Sequence, residues 1–191
     1  MTALRGFCAL NTLVLRLGRT LAWMALFVMV IVILVQVIAR YVFNNALPWP
    51  DEAARFLMLW MTGLIAPLAY RWGGFVSIDM LVRLLPRTVG RLFALALLAL
   101  SLAVLIVGLQ LGLNHVKSGW LFASSTLKLP LGLVGGKPVA IKLAWMYMSL
   151  PVGLALLISV NVELMLRNVA LLFDPEADLP LDDHPMVAGA E

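Results

Sequence analysis

The ionisable residue best placed for chemistry is Glu163, which lies in a long apolar stretch toward the C-terminus. A charged side chain inside a membrane costs about 2.5–3.5 kcal/mol to insert, so such a group can mark a proton or ion site. Arg167 follows four residues later, which is the favourable order for an ion pair along a helix. Because both residues lie near the predicted membrane boundary, we favour an ion pair that stabilises the end of the helix.

A second charged group combines Arg40 with Asp51 and Glu52. The arginine ends one apolar stretch and the two acids begin the next, so all three reach the same membrane face. A structural clasp between the arginine and the acids is the favoured interpretation. Contact with a partner protein is the alternative.

Other reactive residue types are too few for most catalytic or redox sites. The histidines, His115 and His184, lie at a helix end and in the C-terminal tail, so a haem between two spans would lack its ligands. Cys8 is the single cysteine, which excludes an internal disulfide or a CxxC pair. The sequence contains no nucleotide-binding loop and no nucleophile motif. We therefore predict neither an enzymatic activity nor a cofactor.

Four long apolar stretches must position these residues. The clearest, residues 21–39, has no ionisable side chain and would form a helix about 29 Å long, the thickness of a bilayer core. The chain is 63% hydrophobic and 13% charged, which leaves too few polar side chains to solvate a globule. We predict an all-α integral membrane protein whose residues 1–170 form one transmembrane domain. Its four transmembrane helices are predicted at about residues 21–39, 53–70, 92–113 and 143–166.

The segments between and after the spans differ in character. Residues 77–90 place apolar side chains on one face and Asp79, Arg83 and Arg87 on another, which predicts a short interfacial amphipathic helix. The connection 115–142 contains four lysines and no acid, and both a re-entrant segment and an ordinary loop fit it. Residues 171–191 are rich in acids and prolines, which predicts a disordered cytoplasmic tail.

Basic residues near the span ends indicate the orientation of the chain. Arginines and lysines are more numerous on the side shared by both termini, so we predict that both termini are cytoplasmic. The formal net charge of +4 could suggest nucleic acid as a partner. The basic residues lie at helix ends and in loops, however, so we predict contact with membrane lipids and no nucleic-acid binding.

The segment RYVFNNALPWPDEAARFLMLW resembles the small membrane subunit of tripartite ATP-independent periplasmic (TRAP) transporters, the DctQ-like family. Members show an arginine after span 1, then V-F-N, a tryptophan before an acidic pair, and a tryptophan in span 2. The corresponding residues here are Arg40, Val42, Phe43, Asn44, Trp49, Asp51, Glu52 and Trp60. Arg71 and Asp79 match a weaker motif that follows, in which Phe75 replaces the usual histidine.

The resemblance implies a scaffold subunit of the bacterial inner membrane. Such a subunit braces a large, elevator-type DctM-like subunit during sodium-driven import of an organic acid, and helps dock the periplasmic substrate-binding protein. The candidate contacts with these partners are Arg40, Asn44, Trp49, Asp51, Glu52, Trp60, Arg71 and Asp79. Two alternatives stay open: a small membrane-bound enzyme or quinone-interacting subunit that uses Glu163 and His115, and a self-associating four-helix channel.

Overall fold

The computed structural model describes residues 2–72, 87–129 and 139–173. The helices are α1 (Thr2–Tyr41), α2 (Trp49–Arg71), α3 (Arg87–Gly119), α4 (Leu143–Tyr147) and α5 (Ser149–Phe173). A two-stranded sheet consists of β1 (Ala123–Leu129) and β2 (Val139–Lys142). Four helical segments are long and apolar enough to cross a membrane: Gly6–Tyr41, Trp49–Arg71, Val89–Gly119 and Leu143–Ala170. The protein is therefore an all-α integral membrane protein with four spans, as the composition predicts.

The first helix begins near the N-terminus, well before the predicted span of 21–39. Its early part contains Arg5, Arg16 and Arg19, so the uninterrupted apolar run begins only after them. One face of this part is nevertheless buried, and its members are spaced alternately three and four residues apart. They are Cys8, Asn11, Leu15, Gly18 and Ala22. Such spacing keeps a single stripe of a helix against its neighbours, so packing rather than apolarity sets the length of α1.

The helices pack in the order α1, α2, α5, α3. Leu15, Leu68 and Val160 form a buried cluster that joins α1, α2 and α5. On the other side of α5, the leucine side chains of residues 150 and 154 lie against Gly112 and Gly108 of α3. The four spans thus form a row of packed pairs, with α5 between α2 and α3.

The backbones of α2 and α5 touch at Gly63 and Gly153. A methyl group on Gly153 would lie 2.8 Å from the carbonyl oxygen of Gly63, and one on Gly63 would lie 2.7 Å from the carbonyl oxygen of Ser149. Pro67 lies four residues after Gly63 and has no N–H, so it cannot complete the helical hydrogen bond to that carbonyl. The carbonyl instead lies against Gly153, where a Cα–H can approach it closely.

The connection predicted as a loop or re-entrant segment contains regular structure. Helix α3 continues to Gly119, and β1 then pairs with β2 in an antiparallel arrangement. Leu129 lies opposite Val139 and Ala123 opposite Lys142, with a shift of register between Ala123 and Lys128. The described residues of the connection 115–142 therefore include the end of α3 and both strands of a hairpin. Thr126 of β1 and Val139 and Ile141 of β2 are β-branched residues, which favour strands.

Two further expectations fall largely outside the described residues. Of the interfacial helix predicted at 77–90, only residues 87–90 are described, and they form the start of α3. Asp79 lies outside the described residues. Of the tail predicted at 171–191, residues 171–173 belong to the end of α5, and the remainder lies outside the described part.

Candidate functional site

Glu163 lies at the centre of a buried polar cluster near one end of the bundle. Its side chain is fully buried. One carboxylate oxygen, Oε1, lies 2.8 Å from Arg71 Nη2 and 2.6 Å from Arg167 Nη2. The other, Oε2, accepts a hydrogen bond from Asn11 Nδ2. We call Glu163, Arg71, Arg167 and Asn11 the charge cluster.

The charge cluster connects three helices. Asn11 belongs to α1, Arg71 to the end of α2, and Glu163 and Arg167 to α5. Arg71 Nη1 also donates to Thr12 Oγ1 at 2.9 Å. Because these bonds join three different helices, the charge cluster fixes the position of each helix along the axes of its neighbours.

The contacts of the cluster favour a structural role over ion binding. Both oxygens of Glu163 already contact cationic or amide groups, and two guanidinium groups beside the carboxylate oppose the entry of a cation. Within the described residues, no group of three or more His, Cys, Asp or Glu could hold a metal ion. The arrangement can hold helices together, and removing one partner would leave a buried charge uncompensated.

A second buried polar contact joins the remaining helix. Asn161, which is fully buried, donates from Nδ2 to the hydroxyl of Tyr70 on α2. The same hydroxyl lies 3.4 Å from Ser101 Oγ on α3. Together with the charge cluster, this contact links all four long helices through polar side chains.

At the other end of the bundle, Glu52 holds the β-hairpin. Its Oε2 atom accepts hydrogen bonds from Ser124 Oγ, at 2.7 Å, and from Thr126 Oγ1. Glu52 lies in the first turn of α2, whereas both hydroxyls belong to β1. A single carboxylate therefore attaches the hairpin to the start of α2.

Aromatic side chains attach the short helix α4 beside the hairpin. Trp60 Nε1 on α2 donates to the carbonyl oxygen of Trp145, 3.1 Å away. The ring of Trp145 meets the edge of Trp120, with centroids 6.4 Å apart. Lys142 Nζ donates to the carbonyl oxygen of Trp120 at 3.1 Å and lies 5.7 Å from its ring centroid. These contacts fix the end of α3 to α2 through α4.

The predicted clasp between Arg40 and the acidic pair is wrong. Among the described residues, Arg40 forms no ion pair with Asp51 or Glu52 and is exposed at the end of α1. Asp51 instead accepts a hydrogen bond of 2.9 Å from Gln36 Nε2. Gln36 lies one turn before Arg40 and faces α2, whereas Glu52 faces the hairpin. An amide therefore closes the α1–α2 hairpin in place of the arginine.

The other candidate contact residues lie at different places along α2 and its preceding loop. Asn44 adopts a positive φ of 49°, a left-handed conformation that asparagine tolerates and that turns the chain between α1 and α2. Trp49 begins α2 and is partly exposed. Trp60 and Arg71 bind other parts of this chain, as described above, so the structure does not bring all the candidates into one surface.

Four polar residues at the two ends of the bundle were not among the predicted site residues. Asn11 and Thr12 precede the predicted first span, and Ser124 and Thr126 lie in the predicted connection 115–142. For Asn11, the alternating three- and four-residue spacing from Cys8 onward was a usable signal. For the two hydroxyls, no local pattern identifies Glu52 as their partner.

A comparison with known families identifies the chain. The family model described as the DctQ component of tripartite ATP-independent periplasmic transporters matches residues 29–171, which extend from the middle of α1 into α5. The search of curated proteins gives no match. The family match covers well over half of the chain and includes three of the four residues of the charge cluster. The chain therefore belongs to the DctQ family of small TRAP-transporter membrane subunits.

Proposed function

We propose that this chain is the scaffold subunit of a sodium-driven transporter that imports an organic acid. In this proposal it braces a large, elevator-type membrane subunit that carries the substrate and sodium sites. The observation that carries the proposal is the charge cluster, in which Glu163 binds Arg71, Arg167 and Asn11 across three helices.

The proposal follows from how the buried polar groups are used. A transporter that acts alone needs polar groups near mid-membrane that can exchange partners with a solute or ion. Here Glu163 and Asn161 bind side chains of neighbouring helices instead. Interhelical bonds of this kind, with the backbone contact at Gly63 and Gly153, favour a rigid bundle. A rigid bundle suits the static side of an elevator.

A surface for the large subunit is available on the second half of α1. Exposed large side chains cover most of its surface, and five of them, spaced three or four residues apart, form a row along one face. They are Trp23, Phe27, Ile31, Leu34 and Ile38. A stripe of this length can pack against another transmembrane helix, so we propose it as a contact with the large subunit.

The β-hairpin is proposed as a contact with the periplasmic substrate-binding protein. We place both termini in the cytoplasm and the chain in the bacterial inner membrane, because basic residues are concentrated on the side of the termini. In that orientation the hairpin faces the periplasm. Its attachment to Glu52 would hold it in a fixed position relative to the bundle.

Affinity purification from the native membrane tests the proposal. We expect a large multi-span membrane protein to co-purify with this chain, together with transport activity for an organic acid. A Phe27→Ala/Ile31→Ala variant should lower the yield of the complex without unfolding the bundle, because both side chains are exposed. As a matched control, alanine at Leu100 and Val104, which are exposed on α3, should leave the yield unchanged. Recovery of the chain without a large membrane partner would contradict the proposal.

A further inference from the structure

Two exposed arginines lie on α1 within the stretch that can cross a membrane. Arg16 and Arg19 both fall inside Gly6–Tyr41, which is apolar enough to span. Within the described part of the chain, neither guanidinium group has an ion pair or a hydrogen bond from this protein. Two cations on the outer surface of a span favour an anionic partner.

The contacts of α1 with α2 set the depth of these arginines. Thr12 binds Arg71 at the end of α2, so these two residues lie at the same level. Arg16 and Arg19 are four and seven residues further along α1, or about 6 and 10 Å deeper into the bundle at 1.5 Å per residue. Gly18 lies beside Leu64 of α2, which confirms that this part of α1 runs alongside the second span.

The side chains at these positions are directed back toward the Arg71 end. The Cα–Cβ bonds of a helix tilt toward its N-terminus, and the N-terminus of α1 is at that end. A long arginine side chain can therefore keep its stem in the apolar layer and its guanidinium group among the lipid headgroups. Positions 16 and 19 are three residues apart and so lie on adjoining parts of one face.

The surroundings fit a phospholipid. A guanidinium group binds phosphate oxygens in a bidentate manner. Leu13 and Leu17 flank Arg16 and are 56% and 57% exposed, so an acyl chain can lie against them. A lipid phosphate lies at the edge of the apolar layer, which is the level that these guanidinium groups reach.

We propose that Arg16 and Arg19 bind the phosphate of an anionic phospholipid, in the leaflet that surrounds the Arg71 end of the bundle. The lipid lies along the exposed side of α1 and contacts Leu13 and Leu17. This site is independent of the charge cluster and of any transported solute.

Native mass spectrometry of the purified, full-length chain tests this site. Phosphatidylglycerol and phosphatidylcholine with identical acyl chains are added in turn. We expect the wild type to retain phosphatidylglycerol in preference. The Arg16→Gln/Arg19→Gln variant should bind it roughly thirtyfold more weakly, because two basic residues near the headgroups are removed. The Arg16→Lys/Arg19→Lys variant, which keeps both charges, should lose less affinity for the phospholipid.

The matched control removes the same charge at the opposite end of the bundle. Arg40 and Arg55 are also exposed, and their double glutamine variant should retain the preference for phosphatidylglycerol. The proposal would be overturned if both double glutamine variants lost the same affinity for phosphatidylglycerol, or if the wild type showed no lipid preference. It would also be overturned by a glutamine variant that keeps the lipid preference but loses the large subunit on purification, since the arginines would then bind protein. If the glutamine variant fails to fold, the lipid preference of the wild type and the phosphatidylglycerol affinity of the lysine variant still test the proposal.

Discussion

Replacing Gly153 with alanine should force α2 and α5 apart where their backbones meet. The new methyl group would lie 2.8 Å from the carbonyl oxygen of Gly63 and 2.9 Å from its Cα atom. Ordinary van der Waals contact begins at 3.4 Å, so the helices must separate by about half an ångström. The obstacle is backbone, which cannot rotate away as a flexible side chain can.

The cost of this separation can be estimated from two opposing terms. Overpacking of a well-packed contact typically costs about 1–3 kcal/mol. Alanine is more favourable than glycine within a helix by roughly 0.8–1.0 kcal/mol, which offsets part of this cost. The separation would also stretch the bonds from Asn161 to Tyr70 and from Glu163 to Arg71, which cross between the same helices. We therefore expect Gly153→Ala to lower the free energy of unfolding by about 1–2 kcal/mol.

Unfolding by sodium dodecyl sulfate in mixed micelles measures this change. The 6 tryptophans of the chain provide the fluorescence signal. Gly108→Ala is the matched control, because its methyl group would meet the side chain of Leu154 at 3.5 Å, which is an ordinary contact. The control should be as stable as the wild type or slightly more stable.

Equal stability of the Gly153→Ala and Gly108→Ala variants would refute this reasoning. It would mean that the two backbones do not limit the approach of α2 and α5. The alignment of Arg71 with Glu163 would then need another explanation.

Four further substitutions test the polar contacts. Glu163→Leu should cost about 3–5 kcal/mol in the same titration, because it leaves Arg71 and Arg167 buried without a counter-charge. Glu163→Gln removes the same counter-charge but can still form hydrogen bonds, so it should cost less, and equal losses would show that charge alone accounts for the effect. Glu52→Ala should speed proteolysis within the β-hairpin, and an unchanged cleavage rate would show that other contacts hold it. Gln36→Leu should cost at most about 1 kcal/mol of unfolding free energy, because it removes one exposed hydrogen bond; a larger loss would indicate an additional role.

Local sequence predicts the number and approximate positions of the spans, but not the full length of each helix. The run from Leu21 to Ala39 is recognisable because a membrane helix must be apolar over its whole width. The part of α1 before it carries three arginines and is helical for a different reason, the burial of Leu15 and its neighbours against α2 and α5. That burial depends on partners distant in sequence, which no local window contains.

The candidate site shows the same division between local and distant information. The pair of Glu163 and Arg167 follows from a spacing of four residues. The bonds from Arg71 and Asn11 to Glu163 join residues 92 and 152 positions apart, and only the packed bundle brings them together. The clasp predicted for Arg40 failed because the rotation of α1 about its axis, which directs Gln36 to Asp51, is set by packing along the whole helix.

Uptake by reconstituted liposomes tests most directly the claim that this chain is a scaffold. The chain would be reconstituted alone, and together with its large subunit, with the substrate-binding protein and a sodium gradient present in both cases. The account predicts accumulation of the organic acid only when the two membrane subunits are present together. Accumulation by liposomes that contain this chain alone would contradict it.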